Sequence, residues 1–541
     1  MMMNKMIKYI LIMLLLISTD LLHAQDSLKT NVFNVDKVLK PMLSESIKIQ
    51  SNPNPEVPEI KIPLFEYANI PDTIHKTSLT IYTIKPLSMG TSLLPKLKNN
   101  YTKIGYGNIN SPMMEVYLNT VRDKEIQAGV FAKHFSANPG GYNTFSNNTI
   151  EGFVKKFSPV SVIDADVNYT RNNAYLYGFQ PELNSDARQL FQTFDFKASY
   201  SNIIKDSLGL LYKIGFGYYN FFDSHDLNEN DFKLFADLSK PIQGNPLDVK
   251  IQLDIIDLKK IAVDYQRVYF DFNPRYTLKI DALYLMLGFN STIFSDSVTK
   301  KPFIFPVVEA GYTLIPKSLT AFGGITGDLK RNTYRSIATE NLFVRNMGYN
   351  NTVNQFEVYG GFKGQLGPQT SFVLRAGWKR VQNQLFYAID SSKYYSQSVF
   401  FDTITSITNL KAEITHEFDD KFRMALTVNY YNYNTQIALP YSRPTFETKL
   451  NAMYNIGDKF ILKADIFTMD KRNTVILGSN GSTTPVTLNG IVDLNMGIDY
   501  RYNKTVSVFV NFNNITNNTY QRWYGYNVYG FNLIGGLAVT F

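Results

Sequence analysis

The fold is decided by a pattern that is clearest in residues Phe422–Tyr430, which read FRMALTVNY. Apolar side chains take every second position, and Arg, Ala, Thr and Asn take the positions between them. Successive side chains of a β-strand point to opposite faces, so this segment is predicted to be a strand with one apolar face. The same alternation recurs over residues 492–501, 249–255, 163–169 and 460–466.

A soluble β-sandwich also alternates, but three further features favour a membrane barrel. The second face carries charges mixed with Asn, Gly and Thr, which suits a wet lumen. Tyr and Phe recur at strand ends, where an aromatic girdle would lie. No helical pattern separates the strands. We therefore expect an all-β membrane protein, with an antiparallel transmembrane β-barrel over residues 101–541.

The composition agrees with this interpretation and excludes several classes of protein. Of 541 residues, 18% are charged and 14% are aromatic, whereas an average soluble domain is roughly 25% charged. The chain has no Cys, which excludes a disulfide framework, a thiolate zinc site and a catalytic thiol. Its net charge of +8 suits a neighbourhood of anionic lipid head groups. Lys and Arg do not cluster into a patch, so no nucleic-acid partner is expected.

Tight polar turns predict the number of strands. Ten candidates lie near residues 122–124, 157–159, 205–207, 241–246, 279–281, 315–317, 364–369, 419–421, 456–458 and 502–504. Their spacing averages about 42 residues, which holds two membrane strands of about 9–11 residues and a loop. Ten turns on one side, with both barrel ends on that side, give about 22 strands, an even number as in single-chain bacterial barrels.

Longer polar segments between these turns are predicted to form the outer loops. Each is rich in Asn, Gly, Ser and Asp, as loop tips usually are. They cover residues 137–147, 223–231, 340–354, 382–406 and 478–485.

The N-terminal 100 residues divide into two predicted segments. Residues 1–24 have the features of a secretory signal peptide, because Lys5 and Lys8 precede an apolar run and Ala24 offers a cleavage point. The apolar run, Tyr9–Ile17, is too short to cross a membrane core, which needs roughly 20 residues. Residues 25–100 contain repeated prolines between residues 53 and 71, which predict an extended periplasmic or lumenal segment.

The C-terminus alternates up to a final Phe541. A last strand that ends on an aromatic residue resembles the signal recognised by the barrel assembly machinery. Such a strand would be an exposed edge unless it pairs with the first strand, so the pattern predicts a closed barrel.

The last 40 residues resemble the end of a TonB-dependent receptor barrel. Residues Val506–Ile515 resemble the penultimate strand of that family, and Tyr520–Tyr526 with Gly530 resemble its last outer loop. Residues Tyr101–Asn108 are similar to a first barrel strand of Bacteroidetes members. The resemblance implies a 22-stranded barrel in the outer membrane of a Gram-negative bacterium, with TonB as a partner.

The resemblance fails before the barrel, where the family carries a globular plug. Residues 25–100 contain no recognisable plug sequence, although Lys29–Val35 could pair with TonB as an added strand. A barrel of 22 strands encloses a lumen that is normally plugged. We therefore expect residues 25–100, inward-folded loops or a partner protein to occupy the lumen.

Charged residues on the second face of the strands are candidates for the lumen lining. They are Asp164, Asp166, Lys463, Asp465, Asp493, Asp499 and Arg501. Such charges could select a solute electrostatically, or they could form a network that stiffens the wall. The sequence leaves both roles open.

No pattern of catalytic or metal-binding residues stands out. His134, His225 and His416 lack the spacing of a nucleophile and its base, and no G-x-S-x-G motif is present. Residues Asp223–Asp231 are rich in oxygen ligands but lack the Gly and Glu spacing of an EF-hand loop. No cofactor and no metal are therefore expected.

The sequence is compatible with several functions. The leading one is a non-enzymatic barrel, receptor-like but without a plug, that translocates a solute or forms the barrel subunit of an envelope complex. A TonB-energised uptake receptor and a passive porin are alternatives, and an outer-membrane enzyme has the least support. Expected partners are outer-membrane lipid and lipopolysaccharide, the barrel assembly machinery, and another envelope protein or lipoprotein.

Overall fold

The computed structural model describes residues 100–541 apart from 122, 141–142, 179–186, 206–208, 261–262, 347–349, 392–395, 419–420 and 437–438. The predicted signal peptide of residues 1–24 and the predicted segment at 25–99, including Lys29–Val35, lie outside the described residues.

Twenty-two of the strands form the wall. They are β1 (Tyr101–Gly107), β2 (Met113–Asn119), β3 (Ile126–Ala137), β4 (Phe145–Phe157), β5 (Ser161–Tyr175), β6 (Arg188–Asn202), β7 (Leu211–Asp223), β8 (Asn228–Ile242), β9 (Asn245–Lys260), β10 (Val263–Ile280), β11 (Leu283–Asp296), β12 (Lys300–Ile315), β13 (Leu319–Lys330), β15 (Thr352–Gln365), β16 (Thr370–Asp390), β17 (Ser396–Phe418), β18 (Phe422–Thr435), β19 (Phe446–Ile456), β20 (Phe460–Met469), β23 (Ile491–Arg501), β24 (Val506–Asn513) and β27 (Asn532–Thr540).

The remaining elements lie within the connections between wall strands. They are α1 (Tyr334–Glu340), β14 (Val344–Asn346), β21 (Arg472–Leu477), β22 (Thr483–Leu488), β25 (Gln521–Trp523) and β26 (Tyr526–Asn527).

Each wall strand pairs antiparallel with its neighbours, and the ring closes where the last strand meets the first. Seven residue pairs join β1 to β27, from Tyr101 opposite Thr540 to Gly107 opposite Ile534. The backbone ladder continues one residue further, because the amide of Phe541 donates to the carbonyl of Asn100 at 3.0 Å. The predicted 22-stranded closed barrel is confirmed.

The two ends of the barrel differ in their connections. At one end, which we call the turn end, ten connections lie where the polar turns were predicted. The first residue of β1 and the last residue of β27 also lie at this end. At the other end, the loop end, three connections contain the additional helix and strands that the structure describes. Short turns face the periplasm and longer loops face outward in bacterial barrels of this type.

The outward face of the wall is apolar and aromatic. Ile150, Val154, Phe270 and Leu287 are among many large apolar side chains that stay exposed, as a lipid-facing belt requires. Near the turn end, aromatic rings of adjacent strands pair, including Phe460 with Tyr500 at a centroid distance of 4.8 Å. Among the residues that the structure describes, no helix is long and apolar enough to span a membrane.

Three predicted loops differ from the structure. Most of residues 382–406 is strand, because β16 continues to Asp390 and β17 begins at Ser396. Only residues 224–227 of the predicted loop 223–231 connect strands. The predicted loop 340–354 begins within α1, which the sequence analysis did not predict. The first two predictions were wrong because polar composition was taken as a sign of a loop. A strand that extends beyond the membrane has no lipid to face, so its side chains can be polar on both faces.

Candidate functional site

The loop end of the barrel is covered by two segments that fold inward. We call them the cap: residues 331–346, which contain α1 and β14, and residues 520–529, which contain β25 and β26. They contribute to an apolar cluster that also includes side chains of the wall and the adjacent loops. Its buried members are Leu176, Ala187, Phe191, Phe221, Leu227, Leu258, Tyr334, Ile337, Ala338, Val344, Leu385, Tyr387, Trp523 and Tyr526.

Local sequence explains why α1 forms where it does. Thr333 is its N-cap. The Thr333 hydroxyl oxygen accepts a hydrogen bond from the Ser336 amide at 3.0 Å, and the Ser336 hydroxyl oxygen accepts one from the Thr333 amide at 2.9 Å. This reciprocal capping box satisfies amides that have no partner within the helix. Tyr334, Ile337 and Ala338 are the buried side chains, and their spacing of three and four puts them on one helix face.

A buried carboxylate holds the first turn of α1 to the wall. Glu229 on β8 is fully buried, and its two carboxylate oxygens accept from the amides of Tyr334 at 2.8 Å and Arg335 at 3.2 Å. An anion is favourable at this position because helix N-termini carry partial positive charge. The hydroxyl of Tyr219 donates a third hydrogen bond to Glu229 at 3.0 Å.

Ion pairs extend the attachment on both sides of α1. Arg335 contacts Asp195 of β6 at 2.5 Å and lies 4.5 Å from the ring centre of Tyr219. At the other end of the helix, Glu340 pairs with Arg443 at 2.8 Å. Since β8 and the connection that holds Arg443 are almost opposite each other in the ring of 22 strands, α1 connects distant parts of the wall.

The second cap segment is held by aromatic contacts and backbone hydrogen bonds. Tyr526 stacks on Phe343 with ring centres 3.7 Å apart, and Trp523 meets Tyr387 of β16 edge to face at 4.9 Å. Arg472 donates to the carbonyls of Arg522 and, at 2.6 Å, Gln521. The cap is therefore a packed unit with contacts to several wall strands.

Burial shifts the pKa of several groups in this region. It lowers the pKa of Arg472 to about 10, so the guanidinium stays protonated at neutral pH and its hydrogen bonds persist. It raises the pKa of Tyr529 to about 12. Desolvation likewise raises the pKa of Tyr177 and Tyr526. These phenols therefore remain neutral and act in packing and hydrogen bonding.

Two polar cavities lie within the barrel on either side of α1. The first, of about 670 Å³, is lined by inward side chains of β4–β10 and by Arg335. The second, of about 700 Å³, is lined by inward side chains of β11, β13 and β15–β19 and by Glu340. Both cavities are lined by acidic and by basic side chains.

Several of these acidic side chains lie next to basic side chains on a neighbouring strand. Asp166 lies directly opposite Lys197 and lines the first cavity. Asp164 pairs with Lys155 at 3.1 Å. Such cross-strand pairs stabilise a sheet locally.

The other predicted lumen residues lie on β20 and β23. Lys463 pairs with Asp499 at 2.6 Å, and Asp465 accepts a hydrogen bond from Asn451. Asp493 accepts from the hydroxyl of Tyr520 at 2.7 Å, and Arg501 is exposed at the turn end of β23. The structure therefore does not bring the seven residues into one cluster, and a role in selecting a solute stays a prediction.

The weaker candidates from the sequence do not form a site. His134 contacts Asn148 at 2.7 Å and His416 contacts Thr370 at 2.8 Å. In the acidic segment 223–231, Asp223 accepts from backbone amides of the same turn, whereas Glu229 binds α1. Within the described part of the chain, no group of three or more acidic or His side chains is arranged to hold a metal ion.

Sequence reasoning missed the cap, which is the main feature of this end of the molecule. The capping box at Thr333 and the spacing of Tyr334, Ile337 and Ala338 were available signals for α1. Nothing local marked Glu229 as its anchor, because the contact joins residues 105 positions apart.

Solved structures with the same fold are outer-membrane receptors and transporters. The pyoverdine outer-membrane receptor FpvA from Pseudomonas aeruginosa PAO1 matches with a TM-score of 0.64 and 11% identity, over 82% of this chain and 78% of that one. The FrpB iron transporter from Neisseria meningitidis matches with a TM-score of 0.64 and 9% identity, over 82% of this chain and 81% of that one. The ferric-catecholate import receptor Fiu from E. coli K12 matches with a TM-score of 0.62 and 8% identity, over 82% of each chain.

No protein-family model matches the sequence, and no curated protein matches it. At 8–11% identity, the likeness concerns the fold. The chain is an outer-membrane β-barrel with the architecture of these Gram-negative receptors, which confirms the predicted location. The Bacteroidetes assignment, the absence of a plug and the predicted barrel-assembly role of Phe541 stay predictions.

Proposed function

We propose that the protein is a non-enzymatic outer-membrane barrel that translocates a solute and closes its loop end with its own cap. The observation that carries this proposal is the position of the cap, whose helix is attached to Glu229 of β8 at its N-terminal end and to Arg443 of the β18–β19 connection at its C-terminal end. A large barrel needs an internal closure to preserve the permeability barrier. In this proposal the cap supplies the closure, and its opening controls passage.

The two polar cavities favour a solute over an apolar cargo. Acidic and basic side chains face the lumen next to each other, as Asp166 and Lys197 do. A pathway of this kind suits small hydrated solutes and gives no strong preference for one sign of charge.

Single-channel recording in planar bilayers tests the proposal. The full-length protein is expected to show no large, steady conductance. Replacement of residues 334–340 by a Gly-Ser linker of equal length should produce large openings. The same replacement at residues 479–482, in the exposed tip between β21 and β22, is the matched control. Large, steady conductance of the unmodified protein would show that the cap does not close the barrel.

Energised import is a second candidate, and the shared fold supports it. The matched structures are described as a pyoverdine receptor, an iron transporter and a ferric-catecholate import receptor. If this barrel works in the same way, TonB would be its partner and Lys29–Val35 the contact strand. Deleting Thr30–Val35 should then abolish solute uptake, and unchanged uptake would exclude this mechanism.

A third candidate is the barrel subunit of an envelope complex, as the sequence analysis proposed. The many contacts that fix the cap support a static barrel as well as a gated one. Purification from native membranes in mild detergent distinguishes these functions. Stoichiometric copurification of an envelope protein or lipoprotein would favour the complex, and a protein that purifies alone would count against it.

A further inference from the structure

One sector of the outward face changes abruptly from apolar to polar. On β3–β6, side chains directly opposite each other form rows that run perpendicular to the strands, as the strand register defines. One row consists of Ala132, Ile150, Tyr169 and Phe194. The next row towards the loop end consists of His134, Asn148, Arg171 and Gln192. The apolar belt therefore ends between these two rows on all four strands.

This edge lies closer to the turn end on β3 than the corresponding edge does on β10. On β3, the outward apolar side chains run from Ile126 to Ala132, six residues or about 20 Å along the strand. On β10 they run from Val268 to Ile280, twelve residues or about 41 Å. At a tilt near 40°, these lengths correspond to about 15 Å and 31 Å of membrane thickness, and a typical belt is about 25 Å tall.

The polar row carries positive charge at the level of the lipid head groups. Arg171 is half-buried in the row, and Arg188 on β6 lies two rows further towards the loop end and is exposed. Arg188 donates to Asn173 at 2.8 Å. Among the described residues of β3–β6, the outward positions include no Asp or Glu.

Hydrogen-bonding side chains surround the arginines. His134 contacts Asn148 at 2.7 Å and Ser136 at 3.2 Å. The hydroxyl of Tyr169 donates to Gln192 at 2.6 Å. Amides, hydroxyls and guanidinium groups together suit a ligand that combines sugar hydroxyls with phosphate.

We call the surface formed by His134, Asn148, Arg171, Arg188 and Gln192 the β3–β6 patch. We propose that this patch binds the phosphorylated disaccharide head of lipopolysaccharide. The loop end faces outward, so the lipid next to the patch belongs to the outer leaflet. The thin apolar belt below the patch brings the head group down to the arginines, and the acyl chains lie against the row of Ala132, Ile150, Tyr169 and Phe194. This inference does not rest on the proposed translocation function.

Native mass spectrometry of the purified full-length protein tests the proposal with three lipids. The probes are bisphosphorylated lipid A, the same lipid A after removal of its phosphates, and phosphatidylglycerol. The unmodified protein should bind bisphosphorylated lipid A at least about tenfold more tightly than either other lipid, because charge-assisted hydrogen bonds to phosphate are lost in the comparison.

A double variant, R171A/R188A, should weaken binding of bisphosphorylated lipid A about tenfold or more. R380A is the matched control, because Arg380 is also exposed on the outward face near the loop end but stands in its row between Phe356 and Ser406. It should bind lipid A like the unmodified protein. A change in electrophoretic mobility on heating shows whether each variant is folded. If R171A/R188A does not fold, R171Q/R188Q takes its place.

Two results would overturn the proposal. Equal binding of phosphatidylglycerol and bisphosphorylated lipid A would show that the patch attracts any anionic lipid. Unchanged lipid A binding by the folded double variant would show that these arginines do not hold the phosphates.

Discussion

At the scale of single residues, the most consequential side chain is Glu229. Its carboxylate is fully buried and accepts from two amides of α1 and from Tyr219. The sequence predicted only that it belonged to a polar loop, since its role depends on a helix more than 100 residues away. Hydrogen bonds to a charged group are stronger than those between neutral groups, so this residue is central to the attachment of the cap.

The first prediction concerns this attachment. Glu229→Ala should leave the amides of Tyr334 and Arg335 without their acceptor, at a cost of about 1–3 kcal/mol for each buried donor. The cap should open more often, and trypsin should cleave after Arg335 about tenfold faster or more. Limited proteolysis of the protein in detergent, followed by mass spectrometry, measures this rate.

Asp237→Ala is the control for that experiment, because Asp237 lies on the same strand and lines the first cavity. It should leave cleavage after Arg335 unchanged. Equal cleavage of the Glu229→Ala variant and the unmodified protein would show that Glu229 does not hold the cap.

The second prediction concerns Phe541, which is exposed beyond the end of β27 and joined to Asn100 by its backbone. If the aromatic ring is an assembly signal, Phe541→Ala should lower the amount of folded barrel in cells. Refolding of the purified variant into lipid vesicles should proceed normally, since the backbone pairing is kept. Heat-modifiable mobility measures both, and normal assembly in cells would contradict the role.

At the scale of elements, sequence reasoning worked where the environment repeats and failed where it does not. The alternation in β18 and β23 and the polar turns were sufficient to predict the wall, because lipid and lumen impose the same requirement on every strand. Residues 382–406 were misjudged because β16 and β17 continue above the membrane, where Phe386 and Ile389 are buried by other protein segments. The cap was missed because its contacts join distant parts of the chain.

The third prediction concerns the seam between β27 and β1. A Cβ atom at Gly536 would lie 2.0 Å from the carbonyl oxygen of Ile104, whereas one at Gly535 would lie 3.8 Å from its nearest neighbour. Gly536→Ala should therefore disturb the closing pair of strands, at a cost of about 1–3 kcal/mol or more. Gly535→Ala, the neighbouring substitution, should be tolerated.

The midpoint of urea unfolding in lipid vesicles measures both seam variants. A lower midpoint for Gly536→Ala alone is the expected result. Equal midpoints would mean that the seam can shift enough to accept an additional methyl group at Gly536.

At the scale of the whole molecule, the barrel combines a continuous wall with a cap of lower intrinsic stability. Wall strands such as β16 and β17 share twenty aligned residue pairs, and the ring has no free edge. By contrast, α1 has seven residues, which is too short to be stable without its packing contacts. Local opening should therefore begin at the cap and leave the wall intact.

The fourth prediction follows from this difference. In hydrogen exchange followed by mass spectrometry, the amides of residues 334–341 should exchange about tenfold faster or more than those of β8–β12. Glu229→Ala should accelerate exchange in α1 without changing β8–β12. Equal protection of α1 and the wall would indicate that cap and barrel open only together.

The cap also has a mechanical consequence for the barrel. A ring of 22 strands is a thin shell, and lateral pressure from the membrane acts to flatten such a shell into an ellipse. Because α1 is attached to Glu229 at one end and to Arg443 at the other, it ties β8 to the β18–β19 connection at the loop end. A change of cross-section that moves β8 away from this connection must stretch or break the attachment, so we expect membrane tension to favour opening of the cap.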